Sequence, residues 1–189
     1  MLVGCSIQGT TVGPPAVVPA PVASPSASPS PADSPGWRRF QGVLELSVSA
    51  SSEYPGWSAA RLLDQDPTTS WFSDSGDSVA RGLRPWVQVS LSHPARVSRV
   101  IVVGNREPSY PEGYSVLAGV LRVLGQEGEL LRIEARSPDP PHDFVFTLER
   151  PLSGVVGVHF EVTADEGTLN SYGDVAIGEI RLETEEERE

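Results

Sequence analysis

From Trp37 onward the sequence consists of short segments in which apolar and polar residues alternate, with turn-forming residues between the segments. Such alternation places the apolar side chains on one face of a β-strand. Eight segments fit this pattern, near residues 44–48, 87–91, 97–103, 116–124, 130–134, 144–148, 156–162 and 180–182. Only residues 58–63 have a helical pattern, one or two turns long. Many short strands joined by Gly- and Pro-rich turns predict an all-β fold, an antiparallel jelly-roll β-sandwich of about eight strands.

The N-terminal part of the chain has a different composition. Residues 6–36 consist mainly of Pro, Ser, Ala, Val and Gly, hold eight of the 18 prolines and carry a single charge, Asp33. A segment of this kind buries too little apolar surface to fold, and it favours extended polyproline-like and coil states. We therefore predict a disordered N-terminal tether at 1–36, one sandwich domain at 37–183 and an acidic tail at 184–189.

The charge balance limits the partners that this chain can bind. Fourteen basic and 25 acidic residues give a formal net charge of −11. That charge repels phosphate backbones and anionic lipid surfaces, so we expect no nucleic-acid partner. No apolar run reaches the roughly 18 residues that a transmembrane helix needs, and membrane contact is expected only through a lipid anchor.

The single cysteine, Cys5, stands directly before the predicted tether, in Leu2-Val3-Gly4-Cys5-Ser6. This run resembles a bacterial lipobox, in which a small residue precedes the cysteine that is acylated. A secretory signal needs an apolar stretch of about 7–15 residues, and only four residues precede Cys5. Either the true start lies upstream or the match is chance. Cys5 is the predicted lipidation site, which implies a lipid-anchored protein of the bacterial cell envelope or extracellular space. The alternative is an ordinary thiol in a disordered arm.

Three segments carry a family resemblance. They are residues 47–71, which contain Leu63-Asp64-Gln65-Asp66 and Thr69-Ser70-Trp71, residues 85–100, which begin Pro85-Trp86-Val87-Gln88-Val89, and Ile177-Gly178-Glu179-Ile180-Arg181-Leu182. In this order and spacing they resemble the discoidin or coagulation factor 5/8 type C domain of the galactose-binding-like superfamily, which includes family 32 carbohydrate-binding modules. The resemblance covers residues 43–182 and implies the galactose-binding-like jelly roll. The chain departs from the family pattern at Gln65, where a glycine is usual, and at Ser90, where an aspartate is usual.

The resemblance also implies a metal site. In related modules the loop of the first segment and the closing-strand glutamate hold a structural calcium ion, and the matching positions here are Asp64, Asp66, Thr69 and Glu179. Hard cations prefer such oxygen ligands in a tight turn, so Ca²⁺ is the one predicted cofactor. In the alternative interpretation, Asp66 only caps the turn that Pro67 follows, and Glu179 pairs with a surface cation.

The candidate ligand-binding residues lie in loops at one end of the predicted sandwich. A sugar needs an aromatic face for its C–H surface and polar groups that bond its hydroxyls. The candidates are Glu53, Tyr54, Trp57, Asn105, Arg106, Tyr110 and Tyr172, with Tyr114 in a neighbouring loop position. The Asn-Arg pair also resembles the strand end of fucose-binding lectins of this fold. Each residue has an ordinary alternative, since the rings can rest on loop prolines and Arg106 can pair with Glu107 or Glu112.

Nothing in the sequence favours catalysis. Trp71 and Trp86 are expected to pack in the core. The three histidines, His93, His142 and His159, lack metal-type spacing, and no nucleophile motif or phosphate-binding loop is present. We therefore predict that the chain is not an enzyme.

The sequence as a whole predicts a non-catalytic extracellular module that binds a carbohydrate or glycoconjugate and is displayed on a lipoprotein tether. The alternative is an adhesion or assembly module that binds a cell-surface protein. Lipid binding through the loop Tyr54-Pro55-Gly56-Trp57 is a third possibility, and the negative charge argues against it.

Overall fold

The structure is a computed structural model that describes residues 44–137 and 139–184. Cys5, the whole predicted tether, residues 37–43 and residues 185–189 lie outside the described residues. In the part that is described, no helix is long and apolar enough to cross a membrane.

The described chain forms seven strands and two short 3₁₀ helices, with every strand pair antiparallel. The strands are β1 (Leu46–Ala50), β2 (Trp71–Phe72), β3 (Trp86–Gly104), β4 (Val116–Gly125), β5 (Gly128–Arg136), β6 (Phe144–Asp165) and β7 (Ala176–Thr184). The 3₁₀ helices are Ala59–Leu63 and Val79–Arg81, and the first of them confirms the helical turns expected at residues 58–63.

Two long strands run through both layers of the fold. The first part of β3 pairs with β1 and with the end of β6, and β6 continues to β4 and β5. The last part of β3 pairs with β7 and with the start of β6, and β7 holds β2 at its edge. Register shifts separate the two parts of the β3–β6 pairing, between Ser90 and Arg99. Such irregularities bend strands, so the sheet folds over on itself.

The apolar faces of both layers meet in one core. Its buried residues include Val87 and Val89 from the first part of β3, Val100 and Val102 from the last part, and Phe160 from β6. The indole of Trp71 is fully buried in this core and donates a hydrogen bond of 3.0 Å from Nε1 to the carbonyl of Ser52. The prediction that Trp71 packs inside is therefore confirmed.

The all-β antiparallel jelly roll predicted from the sequence is confirmed, with a different division into strands. The segments near 87–91 and 97–103 are the two ends of β3, and those near 144–148 and 156–162 are the two ends of β6. The sequence shows turn-like residues at these bends, where the backbone in fact continues as a bulged strand. The two-residue β2 was not predicted because it is too short to show a period.

Candidate functional site

Three loops and β2 converge on one aromatic pocket. Its seven lining residues are Tyr54, Trp57, Phe72, Tyr110, Tyr114, Tyr172 and Asp174. They come from the loop after β1, from β2, from the β3–β4 loop and from the β6–β7 loop. The sequence predicted four of these residues as separate loop candidates, Tyr54, Trp57, Tyr110 and Tyr172, and the structure brings all four together.

The rings pack edge to face and shape a small cup. The centroid of Phe72 lies 4.9 Å from that of Trp57 and 5.3 Å from that of Tyr114, and Tyr110 lies 5.7 Å from both Trp57 and Tyr114. Edge-to-face pairs of this kind stabilise one another beyond simple burial. Phe72 and Tyr114 are buried at the base, whereas Tyr110 and Tyr172 are 39% and 48% exposed at the rim. The cavity measures about 40 Å³, which is room for a few water-sized groups.

Backbone hydrogen bonds fix the loops that carry these rings. The amide of Tyr54 donates to the carbonyl of Phe72 at 3.0 Å, and the amide of Phe72 donates to the carbonyl of Trp57 at 3.2 Å. The Asn170 side chain joins two further loops, because its Nδ2 donates to the carbonyl of Gly113 at 2.6 Å and its Oδ1 accepts from the amide of Gly173. A pocket held in this way needs little reorganisation to bind a ligand.

Asp174 supplies the only charge among the seven lining residues. Its side chain is 3% exposed, and its Oδ1 is buried without a hydrogen-bond partner. Burial raises the pKa of Asp174 to about 6, and the carboxylate of Asp74 adds to the shift. Burial also raises the pKa of the Tyr114 phenol, and the charge of Asp174 raises it further.

Arg61 covers the outer face of Trp57. Its guanidinium carbon lies 4.3 Å from the centre of the indole ring, within the range of a cation–π contact. The same guanidinium donates to the carbonyl of Ser70 and lies 3.7 Å from Glu107. Arg61 does not line the pocket, and it packs against the outer face of the indole ring.

The other sequence-predicted ligand residues lie elsewhere. Glu53 is exposed, and its Oε1 accepts a hydrogen bond from the amide of Ala59 at the start of the first 3₁₀ helix. Asn105 braces its own loop, since its Nδ2 donates to the carbonyl of Tyr110 and its Oδ1 accepts from the amide of Glu107. Neither residue lines the aromatic pocket.

Arg106 also lies outside the aromatic pocket. It pairs with Asp143 rather than with Glu107 or Glu112, and it lines a second cavity beside Asp66 and Glu179. The expectation that the Asn105-Arg106 pair joins the aromatic rings in one site therefore does not match the geometry. The local reason is that β3 ends at Gly104, and the Arg106 side chain is held by the chain that leads into β6.

The predicted calcium ligands are assembled only in part. Asp66, Thr69 and Glu179 line the second cavity, and Asp64 contacts Thr69, whose Oγ1 donates to Asp64 Oδ2 at 2.8 Å. Glu179 accepts a hydrogen bond of 2.7 Å from Nε of Arg181 and a second bond from its Nη2. In residues 44–137 and 139–184 no three His, Cys, Asp or Glu side chains form a metal-binding group. The oxygen atoms of the four predicted ligands are therefore not arranged around a common ion position, and calcium binding stays a prediction.

The loop itself is closed by hydrogen bonds. Asp66 Oδ1 accepts from the amide and the hydroxyl of Thr68, at 2.9 and 2.7 Å. These two bonds, the hydroxyl first, lower the pKa of the exposed Asp66. Gln65 takes a left-handed φ of 61°, so the turn keeps the backbone conformation that a glycine would adopt more easily.

Two pocket residues were missed by the sequence analysis. Phe72 follows Trp71 in β2, and both are buried, which breaks the alternation used to find strands. Asp174 precedes the buried run at the start of β7, and an acidic residue between a glycine and such a run is an ordinary turn signal. The one feature of the sequence that indicated an aromatic pocket was the number of tyrosines in its loops.

The antiparallel jelly roll with its loop-borne pocket has the fold of the galactose-binding-like modules. The family model of the F5/8 type C domain matches residues 47–120, from within β1 to within β4, which confirms the resemblance found in the sequence. Comparison with the curated proteins finds no match.

Solved structures share the fold over most of their length. The family 32 module of Clostridium perfringens NanJ, in complex with galactose, has a TM-score of 0.59 and 17% identity, covering 72% of this chain and 92% of that one. The lectin domain of lectinolysin, complexed with Lewis B antigen, has a TM-score of 0.58 and 14% identity, covering 74% and 93%. The F5/8 type C domain of a Bacteroides fragilis protein has a TM-score of 0.53 and 20% identity, covering 72% and 89%.

Proposed function

We propose that this chain is a carbohydrate-binding module whose ligand site is the aromatic pocket. The observation that carries the proposal is the convergence of six aromatic side chains and one carboxylate from separate loops onto a pre-arranged cup. Exposed rings at a rim provide flat apolar surface for the C–H face of a sugar, and the phenol groups offer donors and acceptors. The glycan-binding modules and lectin domains of the same fold support this choice.

The test is a broad glycan array probed with the full chain, followed by titration of the hits. Tyr110→Ala and Tyr172→Ala remove the two exposed rim rings, and each should weaken binding roughly tenfold. Val145→Ala is the matched control, because Val145 is 60% exposed and does not line the pocket. The control should bind like the wild type.

Two results would contradict this proposal. A glycan hit that both tyrosine variants bind with unchanged affinity would place the site elsewhere. The absence of any glycan hit would favour a protein partner instead, and liposome co-sedimentation then tests the lipid alternative.

We further propose that the module is displayed outside a bacterial cell on a lipid anchor at Cys5, with residues 6–36 as the spacer. The support is the lipobox-like run before Cys5 and the Pro/Ser/Ala composition that follows it. Expressed with its natural upstream sequence, the protein should partition with membranes and carry acyl mass on Cys5, and Cys5→Ser should release it. Fully soluble wild-type protein with a free thiol would refute the anchor.

A further inference from the structure

Asp174 is an unusual residue for the floor of an aromatic pocket. A buried carboxylate is normally paired or fully hydrogen-bonded, because an unpartnered charge in a low-dielectric site is costly. Here the Oδ1 atom has no hydrogen-bond partner and the side chain is 3% exposed. Asn170 bonds the backbone of Asp174, and a hydrogen bond from the Asp174 backbone to its own carboxylate still leaves Oδ1 without a partner.

The surroundings of Asp174 supply no countercharge. None of the other six lining residues is basic. Arg81 lies against the adjacent Gly173, but no ion pair joins Arg81 to Asp174 among the described residues. Asp74 adds a second negative charge. The aromatic faces are also electron-rich, and rings of this kind attract cations.

From this geometry we infer that the pocket takes a positively charged ammonium group carried on a sugar, so that the ligand is an amino sugar with a free amine. This inference rests on the proposed glycan-binding function and names the chemistry of its ligand. The ammonium donates a hydrogen bond to the unpartnered Oδ1 of Asp174 while the tyrosine and tryptophan rings surround its charge.

The size of the cavity agrees with this assignment. The enclosed space of about 40 Å³ admits an ammonium and its neighbouring carbon. The sugar ring then lies against the exposed rims of Tyr110 and Tyr172. An N-acetyl group is bulkier and neutral, so acetylation of the amine removes both the fit and the charge.

The alternative is that a neutral sugar hydroxyl donates to Oδ1. The two cases differ in their response to charge. An asparagine keeps an acceptor oxygen at the same place and removes the negative charge. Asp174→Asn therefore retains hydroxyl binding and loses ammonium binding.

The experiment is calorimetric titration of the full chain at pH 7 with galactosamine, galactose and N-acetylgalactosamine, which differ only in the substituent at C2. Glucosamine, glucose and N-acetylglucosamine repeat the series with the other ring stereochemistry, and choline tests a cation without N–H donors. We expect the free amino sugar to bind roughly ten- to a hundredfold more tightly than its neutral counterparts. Asp174→Asn should remove this preference. Asp139→Asn, which removes an exposed acidic charge outside the pocket, should keep it.

Each other outcome overturns the inference. Equal affinity for amine, hydroxyl and N-acetyl sugars, or an amine preference that survives in Asp174→Asn, refutes the ammonium assignment and leaves the glycan-binding function standing. Choline bound in the absence of amino-sugar binding refutes the sugar assignment. No binding of any sugar here or of any glycan on the array refutes both the inference and the proposed function.

Discussion

The Arg106 guanidinium donates two hydrogen bonds to the Asp143 carboxylate, 2.7 Å to Oδ1 and 2.8 Å to Oδ2. Its Nη1 also donates to the carbonyls of Asn105 and Pro141, both at 3.2 Å. Asp143 Oδ1 accepts a further bond from the amide of Gly104. Arg106 thus ties the end of β3 to the chain that leads into β6, and its donors are occupied by the fold.

Arg106→Ala should therefore lower the free energy of unfolding by about 1–3 kcal/mol, since it breaks charge-assisted bonds and leaves carbonyls unpaired. Glycan affinity at the aromatic pocket should stay unchanged. Urea unfolding and glycan titration measure the two effects. Arg99→Ala is the control, because Arg99 pairs with Glu183 at a more exposed position, and its loss should cost a few tenths of a kcal/mol. If Arg106→Ala instead weakens glycan binding and leaves the stability unchanged, Arg106 belongs to the ligand site.

Gln65→Gly should stabilise the protein by about 0.5–1 kcal/mol. Gln65 has a φ of 61°, a conformation that costs a residue with a Cβ about 1 kcal/mol and costs glycine nothing. Gln126→Gly is the matched control, because Gln126 is in a turn without a positive φ. That change should not stabilise. A loss of stability in Gln65→Gly would show that the Gln65 side chain makes a contact worth more than the strain.

The sequence predicted the fold better than it predicted the site, for physical reasons. Alternation at Val87, Val89 and Leu91 reports which side of one strand is buried, and that information is local. The bend in β3 depends on register shifts against β6, and residues more than 40 positions apart determine it. Two strands were therefore predicted where one bulged strand exists.

The same limit explains the candidate site. Tyr54, Trp57, Tyr110 and Tyr172 were predicted because loop aromatics are a local signal. Asp174 was missed, because its distinguishing property is a buried oxygen with no partner, and that property arises only when three loops and β2 meet. Arg106 was grouped with the rings because of its chemical type and its position at a strand end, and only the position of Asp143 shows that the guanidinium is already paired.

Excess calcium should raise the melting temperature if the ion binds at the four predicted ligands, Asp64, Asp66, Thr69 and Glu179. A ligand that binds only the folded state stabilises it by mass action, by about 2.7 kcal/mol when its concentration is a hundredfold above Kd. Binding requires Thr69 to release Asp64 and Glu179 to turn from Arg181. Asp66→Ala should abolish the difference between calcium and chelator in thermal unfolding. Glu134→Ala, a remote exposed acidic change, should preserve it. Identical melting curves in calcium and chelator would show that the loop is only a hydrogen-bonded turn.

Asp174→Asn should stabilise the unliganded protein at pH 7 by about 1–2 kcal/mol, less than the full shift implies because the pocket is open to water. Burial raises the pKa of Asp174 from its usual 3.8 to about 6 in the folded state. Between these values the folded protein binds more protons than the unfolded chain, so the contribution of Asp174 is fully present below about 4 and is lost as the pH rises through 6.

The gain from Asp174→Asn should therefore be largest at pH 7 and shrink toward zero near pH 4, as measured by urea unfolding across that range. Burial and the carboxylate of Asp74 raise the pKa of Asp174, and a hydrogen bond from its own backbone lowers it. A gain that rises with pH across this range therefore follows the loss of the proton from Asp174. Asp139→Asn is the control for the loss of an exposed acidic side chain outside the pocket. If the stability gained in Asp174→Asn does not depend on pH, or if the variant is less stable at pH 7, the carboxylate has a partner in the folded state. It would then not be available to pair with a cationic ligand.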